Sequence, residues 1–266
     1  MGRPKTRCEK CISDHRKCTH GTQSRLKILV IPDTQTKPGV NTDHLSWIGK
    51  YIAAKRPDVV VHLADHWDMP SLSSYDKGKK VFEGRRYRAD IDAGKDAMDR
   101  LMTPVARAAS YKPRLIFTTG NHENRVERAV EDNAQLEGVI GTQDFCLKDW
   151  GWEVYPFLQP VEVNGVEFCH YFTSGPMGRP VSSAKVLLNT RQGSAVQGHV
   201  QKFDMAVHDR TGAIAIMAGI AYTHTEDYLT PQGQSCRQQI VMLHEVRDGM
   251  FDPMFVSLEY LGRTYR

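Results

Sequence analysis

The chain has 266 residues, of which 40% are apolar and 25% charged, which excludes a disordered, collagenous or coiled-coil protein and leaves enough apolar side chain to fill a core. Its net charge of +4 is unevenly placed: residues 1–27 hold eight Lys/Arg against Glu9 and Asp14, so the remainder is slightly acidic. General nucleic-acid coating is thereby excluded, and a partner near the N-terminus is indicated. No stretch approaches the roughly 18 consecutive apolar residues of a membrane helix, and the polar, cysteine-bearing N-terminus is no secretion signal, so a soluble, cytoplasmic chain without a membrane partner is expected.

Residues 1–25 lack apolar periodicity and read as a basic appendage; residues 26–266 carry no repeat or low-complexity linker and read as one domain. The short β-branched runs 26–31, 58–63 and 114–119 predict strands buried on both faces of a largely parallel sheet. Between them, 43–56 and 90–110 show helical spacing, the second with Pro104 predicted to kink or split it. This alternation defines an α/β fold. Helices are further predicted over 123–138 and 180–193. Asn164-Gly165 joins 161–163 and 166–172 as a hairpin, and 194–197, 204–208, 213–221, 239–246 and 254–260 read as strands of a second sheet packed on the first.

Asp33, Asp65 and Asn121 stand just past the predicted ends of the three parallel strands, the edge at which ligands bind in open α/β sheets. Convergent oxygen ligands suggest a cation. His170, in the FCHYF strand, and His199, in GHVQ, extend the set.

Cys8-x2-Cys11-x6-Cys18-x-His20 offers three thiolates and an imidazole, enough for a structural Zn²⁺, with His15 as an alternative fourth ligand. Zinc would supply the folding free energy that this apolar-poor segment lacks, and its basic surroundings suit a phosphate backbone. Cys146, Cys169 and Cys236 read as buried, inert thiols. In the loop between Asp76 and Ala89, Lys77, Lys79, Lys80, Arg85, Arg86 and Arg88 outnumber Glu83, with Phe82 and Tyr87 interleaved. Beside a metal site, such a loop suits a polyanionic strand whose bases stack on the rings. A charged solvated loop anchored by its aromatics is the competing reading.

In order, Asp33-Thr34-Gln35, Asp65-His66-Trp67-Asp68, Gly120-Asn121-His122-Glu123, His170 and Gly198-His199-Val200-Gln201 resemble the motifs of the calcineurin-like metallophosphoesterase superfamily. The stretches SLSSYDKGKKVFEGRRYRADIDAG and GNHENR are similar to its phage- and prophage-encoded branch, which would place the protein in the cytoplasm of a bacterial host. The resemblance implies a four-layer α/β/β/α sandwich. It implies one divalent metal held by Asp33, Gln35 and Gln201, a second by Asn121, His170 and His199, and Asp65 bridging them. It also implies His122 as the group that stabilises the transition state or protonates the leaving oxygen. Arg125 is a candidate phosphate ligand, and Asp68, Glu123 and His66 are candidates to orient ligands. The family usually has histidine at Gln35 and Gln201 and glycine at Ala64; two amides in place of imidazoles favour Mn²⁺, with Mg²⁺ possible. The expected activity is phosphodiester hydrolysis on nucleic acid by in-line attack of a metal-bridging hydroxide. The alternatives are a phosphomonoesterase on nucleotides or phosphoproteins, and a nucleic-acid-binding protein with a degraded site.

Overall fold

The computed structural model describes residues 24–226 and 236–266. In chain order its elements are β1 (Leu26–Ile31), α1 (Asp43–Lys55), β2 (Val59–His62), α2 (Tyr87–Ala106), β3 (Arg114–Thr118), α3 (Arg125–Asp132), β4 (Glu153–Tyr155), β5 (Val161–Val163), β6 (Val166–Cys169), β7 (Thr173–Ser174), β8 (Arg179–Pro180), α4 (Ala184–Arg191), β9 (Ser194–Gln197), β10 (Phe203–Val207), β11 (Ile214–Ala218), β12 (Gln239–Arg247), β13 (Met250–Ser257) and α5 (Leu258–Tyr265). The proposed zinc ligands Cys8, Cys11, Cys18 and His20, with His15, lie outside the described residues.

Among the described residues the strands form a six-stranded sheet, ordered β13-β12-β1-β2-β3-β4, a five-stranded sheet, ordered β10-β11-β9-β6-β5, and a hairpin of β7 with β8. β1 through β4 are parallel, and β12 and β13, predicted for the second sheet, instead extend the first antiparallel from β1, because β12 pairs with β1. In the second sheet β6, β9 and β11 are parallel, flanked antiparallel by β5 and β10.

Residue alternation explains why neither sheet has a polar face. In β1, Leu29 and Ile31 join a core with Leu45, Ile48 and Leu101 of α1 and α2, while Ile28 and Val30 join Phe168, Val196 and Ile216 of the second sheet. The far side of that sheet, through Ala195, Ala215 and Met217, packs on Ala184, Leu187 and Leu188 of α4. The central strands β1, β2, β9 and β11 thus bury both sets of alternating side chains, and the layers run helix, sheet, sheet, helix.

Several predicted bounds move. Pro104 does not split α2, because it lies in the last turn, and the helix begins at Tyr87. The helix predicted over 123–138 stops at Asp132; Asn133 then caps a 3-10 turn by accepting from the Gln135 N–H. Residues 180–183 are not helical: Pro180 is in β8, and Ser183 caps α4 by accepting from Val186 N. The strand predicted to reach residue 260 ends at Ser257, whose hydroxyl accepts from Tyr260 N and starts α5, an element the sequence reading missed. Of the three cysteines outside the N-terminal motif, Cys169 is buried, whereas Cys146 and Cys236 are half-buried.

α2 is seated on the indole of Trp67, which donates from Nε1 to Ile91 O at 3.2 Å. A Cβ at Gly94 would fall 1.9 Å from that nitrogen, so no larger residue fits without moving the helix. Gly94→Ala is expected to cost about 2–3 kcal/mol through overpacking, read as a lower urea midpoint at unchanged m-value.

Candidate metal centre and its cleft

The loops after the parallel strands of both sheets meet at one edge of the sandwich. Asp33 follows β1, Asp65 follows β2 and Asn121 follows β3, while His170 and His199 follow β6 and β9. β6 ends at Cys169, so His170 stands one residue past a strand, not inside one. The site is therefore built from strand ends of two sheets.

Carboxylate, imidazole and amide atoms converge here. One ligand atom each of Asp65, His170 and His199 lies within 4.8 Å of the others. Asp65 Oδ2 is 3.3 Å from His170 Nε2, which is also 2.9 Å from Asn121 Oδ1. His170 Nδ1 is 2.7 Å from Leu63 O, a bond that requires a proton on Nδ1 and leaves Nε2 directed at Asp65 and Asn121. Asp33 Oδ1 accepts from His199 N at 3.0 Å, while Asp33 Oδ2 is buried without a hydrogen-bond partner. Gln35 is fully buried, and its N–H donates to Asp65 O at 2.8 Å; Gln201 Oε1 accepts from Tyr222 OH at 3.2 Å.

The backbone accommodates this crowding in unusual conformations. Gln35, Ala64, Asp65, His199 and Gln201 all have positive φ, between 44° and 69°, which costs L-residues about 1 kcal/mol or more each and recurs at functional sites. Two glycines admit the carboxylates. A Cβ at Gly120 would lie 2.2 Å from Asp65 Oδ1, and one at Gly198 would lie 2.3 Å from Asp33 Oδ1.

The electrostatics of the cluster favour a cation. Burial pushes the Asp33 carboxyl up to about 7. Burial opposes a charge on His170, but Asp65 and Asp33 outweigh it and lift that imidazole to about 9. His199 is lowered to about 4 by burial and by His170. Burial would raise Asp65 too, but His122 and His170 outweigh it and hold that carboxyl well below the usual carboxylate range. A proton drawn onto Asp33 and one drawn onto His170 thus give the compensation that a divalent cation would give instead. The donor set of carboxylate, amide oxygen and imidazole fits a divalent cation.

Glu123 ties the loops together. Its Oε2 accepts from Asp65 N and Gly120 N, each at 3.1 Å, and its Oε1 accepts from His66 N at 2.6 Å and Trp67 N at 3.1 Å. His66 is a structural link, its ring nitrogens 2.7 Å from Thr34 Oγ1 and 3.0 Å from Gly94 O. His122 Nδ1 pairs with Asp68 Oδ1 at 2.8 Å, and His122 Nε2 lies 3.7 Å from Asp65 Oδ2. Burial works against a charge on His122, yet Asp65 and the Asp68 hydrogen bond hold its pKa above the ordinary value. Arg125 donates to Asp68 O at 2.6 Å and lies 3.2 Å from His122 Nε2.

A cleft of about 1080 Å³ opens from Asn121, His122 and Arg125 along the 70–90 segment. Lys79, Arg85 and Arg86 line it, whereas Lys80, in a 3-10 turn, does not. Arg85 donates to Asp76 Oδ2 at 2.7 Å and to Pro70 O, so its guanidinium braces the loop. The expected role of Tyr87 as an open ring is also corrected: it begins α2, and its hydroxyl donates to Asp144 at 2.7 Å. Tyr75, which the sequence reading passed over, lines the cleft with 79% of its surface exposed. Lys37 and Glu226, also passed over, complete the wall.

No family model matches the chain. Over 99 residues it is 33% identical to the Gene 54 protein of Mycobacterium phage L5 and 32% identical to that of Mycobacterium phage D29. Each alignment covers 37% of this chain and 36% of the relative, so the chain matches little more than a third of their length. Among solved structures, Vps29 of Entamoeba histolytica complexed with Zn²⁺ aligns with 88% of this chain and 99% of its own, at 11% identity and a TM-score of 0.37. Vps29 of Chaetomium thermophilum aligns over 86% and 95%, at 14% identity and 0.38. A predicted phosphoesterase of Streptococcus pneumoniae aligns over 88% and 99%, at 10% identity and 0.32.

Proposed function

We propose that the chain is a metal-dependent phosphoesterase, and within that class a phosphodiesterase acting on nucleic acid. The observation that carries this reading is the meeting of Asp33, Asp65, Asn121, His170 and His199 at the strand ends of two sheets, beside a buried Asp68–His122 pair that opens on a cleft lined by Lys79, Arg86 and Arg125. Asp33, Gln35 and Gln201 would hold one divalent ion, Asn121, His170 and His199 a second, and Asp65 would be shared. Bound there, such ions supply Lewis acidity, polarising phosphoryl oxygens and acidifying a water.

The chain's own residues supply the rest. His122, oriented from Nδ1 by Asp68, has Nε2 3.2 Å from Arg125 Nη2 and would pass a proton from Nε2 to the leaving oxygen once that guanidinium turns to a phosphate. Arg125, whose Nη2 lies at His122 Nε2, is placed to meet a phosphate oxygen through its planar fork. Lys79 and Arg86 offer exposed cations along the cleft, and Tyr75 offers an exposed ring on which a base stacks. The basic segment 1–25, with zinc at its cysteines, belongs to the same proposal as a second contact to the phosphate backbone.

Hydrolysis of an aryl phosphodiester and of the matching monoester by metal-stripped protein, with Mn²⁺ returned, tests the reading: diester turnover supports it, and monoester preference replaces it with a phosphatase. The cleft is tested separately. Replacing Lys79 and Arg86 together by Ala should flatten the slope of log KM against log salt for a single-stranded oligonucleotide by about 1.4, since each lost phosphate contact removes about 0.7. An unchanged slope would remove these residues from the substrate path.

A further inference from the structure

We propose that Lys37 is a positioning residue for the Asp68–His122 pair, an inference that rests on the phosphoesterase reading above. Its ammonium lies 3.0 Å from Asp68 Oδ2 and bonds Glu226 Oε2 on the other side. Asp68 turns its remaining oxygen to His122 Nδ1 at 2.8 Å, and Glu226 turns its remaining oxygen to His224 Nε2 at 2.6 Å. All three charged side chains are largely enclosed, with 19% of Lys37, 7% of Asp68 and 1% of Glu226 exposed.

The backbone fixes the two ends of this contact against each other. Thr36 N donates to His66 O at 2.7 Å, and Asp68 N donates to Thr36 O at 2.9 Å, so the segments carrying Lys37 and Asp68 form one short parallel bridge. A carboxylate held at both oxygens by partners on different sides has lost its rotation about χ2. His122 Nδ1 therefore meets an acceptor that is already in place, and the ring keeps its orientation between turnovers. Without Lys37, Asp68 Oδ2 loses its ion pair, and the carboxylate regains the freedom to turn from the imidazole. Lys37 acts through Asp68, so its loss should appear in kcat and not in substrate or metal binding.

The experiment is steady-state hydrolysis of an aryl phosphodiester with saturating Mn²⁺ by wild type, Lys37→Met, Lys37→Arg and the double variant Lys37→Met/Glu226→Gln. Mn²⁺ affinity is measured by calorimetry in parallel. The double variant also neutralises Glu226, the buried carboxylate that loses its ammonium partner in the single one, which keeps the test open if Lys37→Met fails to fold. Lys37→Met and the double variant should lower kcat about 10- to 100-fold with KM and Mn²⁺ affinity within about twofold, and Lys37→Arg should recover most of the loss. A double variant with wild-type kcat, or a loss confined to KM, overturns the proposal. Nitrogen-15 spectra of the histidine rings give a readout independent of turnover. The His122 Nδ1–H signal should be protected from solvent exchange in wild type and lose that protection in the double variant; unchanged protection overturns the proposal even if the wild type hydrolyses nothing. An inactive wild type whose protection depends on Lys37 would instead overturn the phosphoesterase reading alone.

Discussion

Asp65→Asn should leave a folded protein whose phosphodiester turnover is lower by at least about 10³-fold, the largest effect expected of any single substitution here. The change is nearly isosteric, and the amide oxygen at the Oδ1 position still accepts from His122 N, at 3.1 Å in the wild type. The Oδ2 position, 3.3 Å from His170 Nε2 and 3.7 Å from His122 Nε2, would instead carry an NH₂ group. That puts a donor without negative charge where lone pairs converge, and removes the one carboxylate that faces both His170 and His122. Circular dichroism should be unchanged, and calorimetry should show loss of tight Mn²⁺ binding. Variant turnover within about tenfold of wild type would mean that chemistry does not pass through this cluster.

Glu123→Ala is expected to produce the largest stability loss, about 3–5 kcal/mol. The carboxylate is fully buried and accepts four backbone N–H groups, those of Asp65, His66, Trp67 and Gly120. Truncation leaves four buried donors without an acceptor, each costing about 1–3 kcal/mol before any relaxation or entry of water. Glu123→Gln should lose less, although its NH₂ faces two backbone N–H donors. The measurement is urea unfolding of metal-free protein, so that lost metal does not enter the difference. A loss under about 1 kcal/mol would mean that the loops after β2 and β3 hold their shape without this carboxylate.

The strand ends were legible because β1, β2 and β3 are apolar on both faces, so their polar successors Asp33, Asp65 and Asn121 stood out as breaks. His170 was harder to place, since Tyr171 and Phe172 continue the apolar run beyond the last paired residue, Cys169. α5 was missed because β13 runs into it without a loop, and the signal was only Ser257 with Leu258 and Leu261 at helical spacing. Ala64 concealed a left-handed turn, with φ of 69°, that a glycine would have announced. The contact of Lys37 with Glu226 joins residues 189 apart and forms only when the loop after β11 closes on the loop after β1, so no local pattern encodes it. Tyr87 looked in sequence like an open ring; only the helix start and Asp144 show it to be an anchor.

This edge of the sandwich is proposed to bind divalent metal and to use it to cleave phosphodiesters. This is tested most directly by titrating Mn²⁺ into metal-stripped protein while following both bound metal and hydrolysis of an aryl phosphodiester, with Asp65→Asn in parallel. Turnover that rises with site occupancy in the wild type, and neither tight binding nor turnover in the variant, is the predicted result. Turnover without bound metal, or tight Mn²⁺ binding that persists in Asp65→Asn, would contradict it.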